Sequence, residues 1–538
     1  MKTLTMFLDY AQLYPLILTL SNKNPVCHGG TPHTFSRKGV RPVHAVVILT
    51  VTGILSQFIG FGYRVLLTRL AGAEILGLYQ LLLPVYAVLL SLTSVGLTQA
   101  VSNLSARYEV LGNRWAIYQL RGQAVKSFFL LALLPCALLL ACSDAASVYI
   151  LADARTRLGL MLLVPCLLLT GTENLHKHYF YGTGRVLPPA LTELTEQILK
   201  SGFILGLLIC LRPPTPEKAV GTIVLGMILG EIISAFTQVL LFRVYLGRLQ
   251  TLPGKPVEKA FLRRQMAHIA LPLGFAALLG NLISSLNALL IPRLLTLGGM
   301  DQGEAMSAYG VTFGMTLPML LLPTAFLSAL GLVLTPKLSQ ASALGKKETI
   351  RSHIQRSVGM ANRILIPALS LLAVLGSGLG VTLYQEPAVA HHLPLLAFGV
   401  LFSCWQTLFS FVLSGLDRQR ASAVIALVCD LVQLALTCLT VVRFGMAGYA
   451  VSFGVAALLG AVLTWRVVAR ETGLCLPLFD WFAAPTLAAC LGTACGDLVE
   501  TILLRAGLTA LPAAVGAMGF GLILYLAGLE AMGVGKQT

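Results

Sequence analysis

Apolar stretches of twenty or more residues recur from residue 43 almost to the end of this chain, broken by short segments of charge, Pro and Gly. "SFFLLALLPCALLLAC" (127–142) is among the shorter ones. A bilayer's hydrocarbon core is about 30 Å thick and takes about 20 helical residues to cross. Inside it every backbone polar group must be bonded within its own segment or barrel, so long apolar runs of this kind are helices. Composition agrees: with 56% hydrophobic and 11% charged residues, the chain has too little charge to cover a surface facing water. The expected fold class is therefore an all-α polytopic membrane protein. Length and breakers place fourteen helices at about 43–68, 78–105, 125–142, 157–180, 188–211, 219–246, 266–295, 305–339, 355–384, 392–415, 421–442, 447–468, 481–503 and 509–531.

The distribution of basic residues orients these helices. With the N-terminus in the cytoplasm, 27 of the 38 Lys and Arg fall on the inner side, 9 on the outer side, and Lys200 and Arg363 within helices. Cytoplasmic loops carry such an excess, and an error of one helix in mid-chain would erase it, so both termini are expected in the cytoplasm. The net charge of +16 belongs to this topology and to contact with anionic lipid, not to nucleic acid. No P-loop occurs, and the eleven cysteines show no zinc-type spacing, so no metal and no cofactor is expected. Residues 1–20 are weakly apolar but carry Asp9, and 21–42 are polar and rich in Gly, Pro and Ser, so 1–42 read as a poorly ordered cytoplasmic extension or an overextended translation start.

Two stretches resemble each other. In "LYQLLLPVYAVLLSLTSVGLTQAVSNLSA", from Leu78, Pro84 precedes Leu104-Ser105 by twenty residues. In "AYGVTFGMTLPMLLLPTAFLSALGLVLTPKLSQA", from Ala308, Pro318 precedes Leu338-Ser339 by the same interval. Six helices separate the copies, which gives two parallel six-helix lobes, an arrangement found in transporters. The expected layout is an extension (1–42), a first lobe (43–246), a basic inter-lobe loop (247–265), a second lobe (266–470), and an added helix pair with the C-terminus (471–538).

"ILSQFIGFGYRVLLTRLAGAEILGLYQLLLPVY" (54–86), "GTGRVLPPALTELTEQILKSG" (182–202), the stretch 308–341 and "LFSCWQTLFSFVLSGLDR" (401–418) together resemble the polysaccharide and oligosaccharide flippases of the stage V sporulation protein B group. That group lies in the multidrug/oligosaccharidyl-lipid/polysaccharide (MOP) exporter superfamily. The resemblance implies a V-shaped fold of two six-helix lobes that alternates between inward- and outward-open states in a bacterial cytoplasmic membrane. It implies transport without covalent chemistry and cargo such as a polyprenyl-diphosphate-linked saccharide or peptidoglycan precursor. It also implies roles in spore cortex or cell-wall synthesis, and an energy source that is H+, Na+ or the membrane potential. Gln57 stands where members of the group commonly carry arginine, which leaves Arg64 and Arg69 as bearers of an anion site. Arg293 ends the equivalent helix of the second lobe, and Gln57 and Lys200 complete the candidate headgroup set.

A charge at mid-bilayer costs about 2.5–3.5 kcal/mol on insertion scales, so intramembrane charges face a cavity or a partner. Glu193, Glu196 and Lys200 lie on one helical stripe, and Glu196–Lys200 is the favourable i, i+4 order. Glu173, Lys177 and Arg185 of the preceding helix are possible partners. The stripe is either a structural ion-pair network or a coupling-ion site. Glu231 and Asp430 read as lone acids in apolar runs, and with Glu173 and Glu196 they form the coupling-ion candidates. Asn281, Ser285, Asn287 and Gln406 offer amides and hydroxyls suited to saccharide or to neighbouring helices. His176 and His178 are expected at the headgroup zone. Three functions compete: a lipid-linked-saccharide flippase, a cation-coupled multidrug exporter of the same superfamily, and a non-transporting scaffold that recruits cell-wall synthases.

Overall fold

In a computed structural model of the chain, residues 42–247, 253–474 and 479–533 are described. The expected extension, the tip of the basic loop and the end of the chain lie outside them. Sixteen helices carry the fold: α1 (Pro42–Leu90), α2 (Gly96–Val110), α3 (Arg114–Ala141), α4 (Arg157–Gly182), α5 (Leu187–Leu211), α6 (Pro216–Leu246), α7 (Lys259–Leu297), α8 (Gln302–Gly310), α9 (Leu317–Leu321), α10 (Ala325–Ala343), α11 (Lys347–Val374), α12 (Gly376–Tyr384), α13 (Ala388–Gly415), α14 (Gln419–Thr472), α15 (Ala484–Arg505) and α16 (Ala510–Ala531). No strand occurs among the described residues, as expected for the class.

Twelve continuous segments among the described residues are long and apolar enough to cross a membrane, where the sequence predicts fourteen helices. The difference lies in two segments, Ile48–Val110 with 63 residues and Gln419–Thr472 with 54. Each holds two of the expected helices. Each also turns on one glycine without an intervening loop: Gly72 (φ 82, ψ 170) in α1 and Gly445 (φ 57, ψ −138) in α14. A side chain is strained at such positive φ, so the break falls on the residue type that tolerates it. α3 starts eleven residues before its expected limit, because "RWAIYQLRGQA" continues the helix beyond its apolar part. The side chain of Asn113 accepts from the Ala116 amide there and caps it.

The chain forms two compact units. Of the described residues, one takes in those up to Gly60 and those from Leu81 to Ser285; the other takes in Phe61–Gln80 and those from Leu286 onward. In the first unit α6 is the innermost helix and packs against α4 and α5. The first part of α7 joins this unit through polar ties: Gln265 accepts from the Tyr108 hydroxyl at 2.9 Å, and Ser285 donates to the Pro84 carbonyl at 3.0 Å. In the second unit α13 lies along α14, and α15 pairs with α16. Asn362 of α11 accepts from the Trp405 indole and donates to the Trp481 carbonyl, both at 2.8 Å, fastening the segment that precedes α15.

Candidate functional site

Three helices of the first unit each contribute part of one buried polar array. α4 carries Glu173 and Lys177, four residues apart. α5 carries Glu196 and Lys200 at the same spacing, and α6 carries Glu231 and Ser234. These spacings place each pair on one stripe of its helix. What brings the stripes together is the small-residue face of α6. A Cβ on Gly226 would lie 2.7 Å from the Ile204 Cα, and one on Gly230 would lie 3.0 Å from the Lys200 Cα. Two glycines four apart thus let the backbones of α5 and α6 approach closely, as small residues do between membrane helices.

The charged groups alternate in sign along a ladder. The Lys177 Nζ stands 2.6 Å from Glu173 Oε1 and 3.0 Å from Glu196 Oε2. Lys200 Nζ stands 3.4 Å from Glu196 Oε1 and 3.2 Å from Glu231 Oε1. The Ser234 hydroxyl donates to Glu173 Oε1, and one α6–α5 bond runs from the Gln238 amide to the Thr192 hydroxyl. The side chains of Glu173, Lys177 and Glu231 are 1–3% exposed, whereas those of Glu196 and Lys200 reach 14% and 17%. The ladder is therefore partly open on α5 and dry where α4 and α6 hold it. The second oxygen of Glu231, Oε2, is buried without a hydrogen-bond partner. Oxygens of Glu173, Glu196 and Glu231 come within 4.8 Å of one another. Two ammonium groups already sit among them, so the array is an ion-pair ladder and not an all-oxygen cage.

This geometry corrects the reading of Glu231 as a lone acid: its partner is Lys200, on another helix. Glu173 and Lys177 do meet the α5 stripe, whereas Arg185 turns to Glu109 at 3.1 Å. Glu193 is half-buried beside the ladder. His176 and His178, expected at the headgroup zone, are buried within the protein. The Arg121 Nε donates to His176 Nε2 at 3.0 Å, so His176 Nδ1 donates to the Thr172 carbonyl at 2.7 Å and the ring is neutral. Sequence reasoning missed Ser234, Gln238 and Arg121. Their only signal was a polar residue on an apolar stripe.

The remaining candidates are dispersed. Gln57 is half-buried in the first unit, as is the rest of the headgroup set's Lys200 within the ladder. Arg64, Arg69 and Arg293 belong to the second unit; Arg64 and Arg293 are half-buried there. Arg69 donates from Nε to the Leu383 carbonyl at 2.7 Å and from Nη2 to the Thr382 carbonyl at 2.8 Å, satisfying orphan carbonyls at the end of α12. Asn281 donates to the Ser91 hydroxyl, which with the Ser285 bond ties α7 to the α1–α2 segment. The Asn287 Oδ1 is buried without a hydrogen-bond partner. Gln406 packs against Gly460 of α14, and Asp430 is half-buried on the same helix.

The chain is 22% identical over 469 residues to stage V sporulation protein B of Bacillus subtilis (strain 168), covering 85% of this chain and 88% of that protein. Among solved structures, the fold resembles the lipid II flippase MurJ in an inward closed conformation. The TM-score is 0.68 and the identity 14%, over 90% of this chain and 98% of that one. It also resembles an inward-facing multidrug resistance MATE family transporter of the MOP superfamily, with a TM-score of 0.62 and 13% identity over 80% of this chain and all of that one. The fold is thus that of MOP-superfamily transporters, and the chain is a multi-pass membrane protein. Residues 43–342, more than half of the chain, match the family described as "Polysaccharide biosynthesis protein", and the chain belongs to that family.

Proposed function

We propose that this protein is a flippase that carries a polyprenyl-diphosphate-linked saccharide across the bacterial cytoplasmic membrane, with both termini in the cytoplasm. The observation that carries this reading is the family match over residues 43–342 on a chain whose fold is shared with a lipid II flippase. In this mechanism the saccharide headgroup crosses within the protein while the prenyl tail stays in lipid. Arg64 and Arg293 supply charge for the diphosphate, since guanidinium pairs with phosphate oxygens through two parallel hydrogen bonds. Arg69 contributes less, because two of its donors are already spent on α12. Asn287 and Gln406 supply hydrogen bonds to sugar hydroxyls, and the ladder of the first unit supplies ion coupling. Spore cortex or cell-wall synthesis is the process served, and cell-wall synthases are the partners that would use the product.

A vesicle assay tests this. The full chain, reconstituted with a labelled polyprenyl-diphosphate oligosaccharide, should move the label across the bilayer. Arg64→Gln and Arg293→Gln should each slow it about ten- to hundredfold, the loss of a charge-assisted bond of about 1.5–3 kcal/mol. Unchanged rates in both variants would remove the anion site. The likeness to a multidrug transporter supports a second reading, cation-coupled drug export. That reading requires resistance to cationic drugs on expression and no movement of the labelled lipid.

A further inference from the structure

The ladder does not balance. Its bonded members are three carboxylates, Glu173, Glu196 and Glu231, and two ammoniums, Lys177 and Lys200, which leaves one negative charge in excess. Glu193, half-buried on the α5 stripe, only adds to that excess. An uncompensated charge inside a protein in a bilayer is costly, and such a group is neutralised or paired. The atom at which neutralisation is needed can be named. Among the carboxylate oxygens of the array, Glu231 Oε2 is buried without a hydrogen-bond partner. Glu231 itself is 1% exposed.

From this we infer that Glu231 is the binding site of one exchangeable proton, held on Oε2. A single vacant oxygen suffices for a proton. It does not suffice for a hard metal cation, which takes about six or more oxygen ligands, and the neighbouring positions are already held by two ammonium groups. The groups facing Glu231 are Lys200 and Glu196 from α5, Glu173 from α4 and Tyr86 from α1; behind them Lys177 bridges Glu173 and Glu196, and Cys166 bonds Tyr86. Tyr86 donates to the Thr170 hydroxyl at 2.6 Å. When Oε2 gains a proton, the carboxyl becomes neutral and the ladder's net charge falls to zero. Lys200 is then left with Glu196, on its own helix, as its anionic partner, and the charged tie between α5 and α6 is released. Loss of the proton restores that tie. Coupling of this cycle to headgroup movement rests on the flippase reading; the proton site itself does not.

The test uses the full chain in lipid membranes with no saccharide lipid present, followed by infrared difference spectroscopy across pH. The wild type should show one protonated-carboxyl C=O band that is lost as pH rises. The band should vanish in Glu231→Gln and shift in position in Glu231→Asp, which keeps the acid. If Glu231→Gln fails to fold, the Asp variant and wild type labelled with 13C-glutamate carry the assignment, the label moving the same band. A band that survives unchanged in Glu231→Gln, or that never appears at any pH, overturns the proposal. So does a band abolished by Na+ at fixed pH, which would assign the site to a metal cation. The band together with no lipid movement in vesicles would uphold the proton site and sink the flippase reading. Lipid movement without the band would do the reverse.

Discussion

Lys177 is the residue on which the buried array depends most, because among the described residues it is the cation that bridges Glu173 and Glu196. Replacing it with methionine keeps the volume and strands two carboxylates. Breaking a buried pair by removing one partner costs about 3–5 kcal/mol, so Lys177→Met should lower unfolding stability in detergent by about that much. Removing a carboxylate along with it, in Lys177→Met/Glu173→Gln, should cost less than the sum of the single changes, because the two act within one network. Purely additive losses would show that the pair is not coupled. At this scale the sequence was legible where partners share a helix: Glu196 and Lys200 stand four apart and do meet. It was not legible across helices. Glu231 looked solitary because its partner lies 31 positions away, and the donors of Arg69 are engaged by carbonyls more than three hundred positions away. Neither spacing nor composition encodes such a meeting.

Among the helices, the contact of α5 with α6 turns on Gly226 and Gly230, which admit the α5 backbone where any side chain would collide. Gly230→Leu should push α5 outward and part Lys200 from Glu231. Overpacking of this kind costs about 1–3 kcal/mol, to be read as a lower unfolding midpoint. Gly62→Leu serves as the control, since nothing stands within 4 Å of its added Cβ. Equal midpoints for the two variants would refute the role given to the glycine face. Helix limits were largely readable from apolar length: α5 was expected at 188–211 and runs Leu187–Leu211. The joins were not, because a single glycine at 72 or 445 turns the chain without the polar loop that a reader of hydropathy looks for. The start of α3 was hidden for the opposite reason, as its first turns are polar and only the Asn113 cap marks them.

For the molecule as a whole, the basic residues predict sidedness, and this can be checked without knowing the cargo. A cysteine placed at Lys255 should react with a membrane-impermeant thiol reagent only after cells are opened. One placed at Met300 should react in intact cells, with the exposed native Cys142, Cys210, Cys438 and Cys490 replaced beforehand by serine. The reverse pattern would invert the topology and with it the cytoplasmic placement of both termini. The fold class was readable at this scale because a bilayer permits so few solutions to a chain this apolar.

The ladder is wet only on α5: Glu196 and Lys200 are partly open while Glu173, Lys177 and Glu231 are sealed. Glu231 is thus joined to the wetted part of the array through Lys200. The sealed acids of α4 and α6 therefore share their wet boundary on α5, so a change at Glu196 or Lys200 alters the hydration of the whole array.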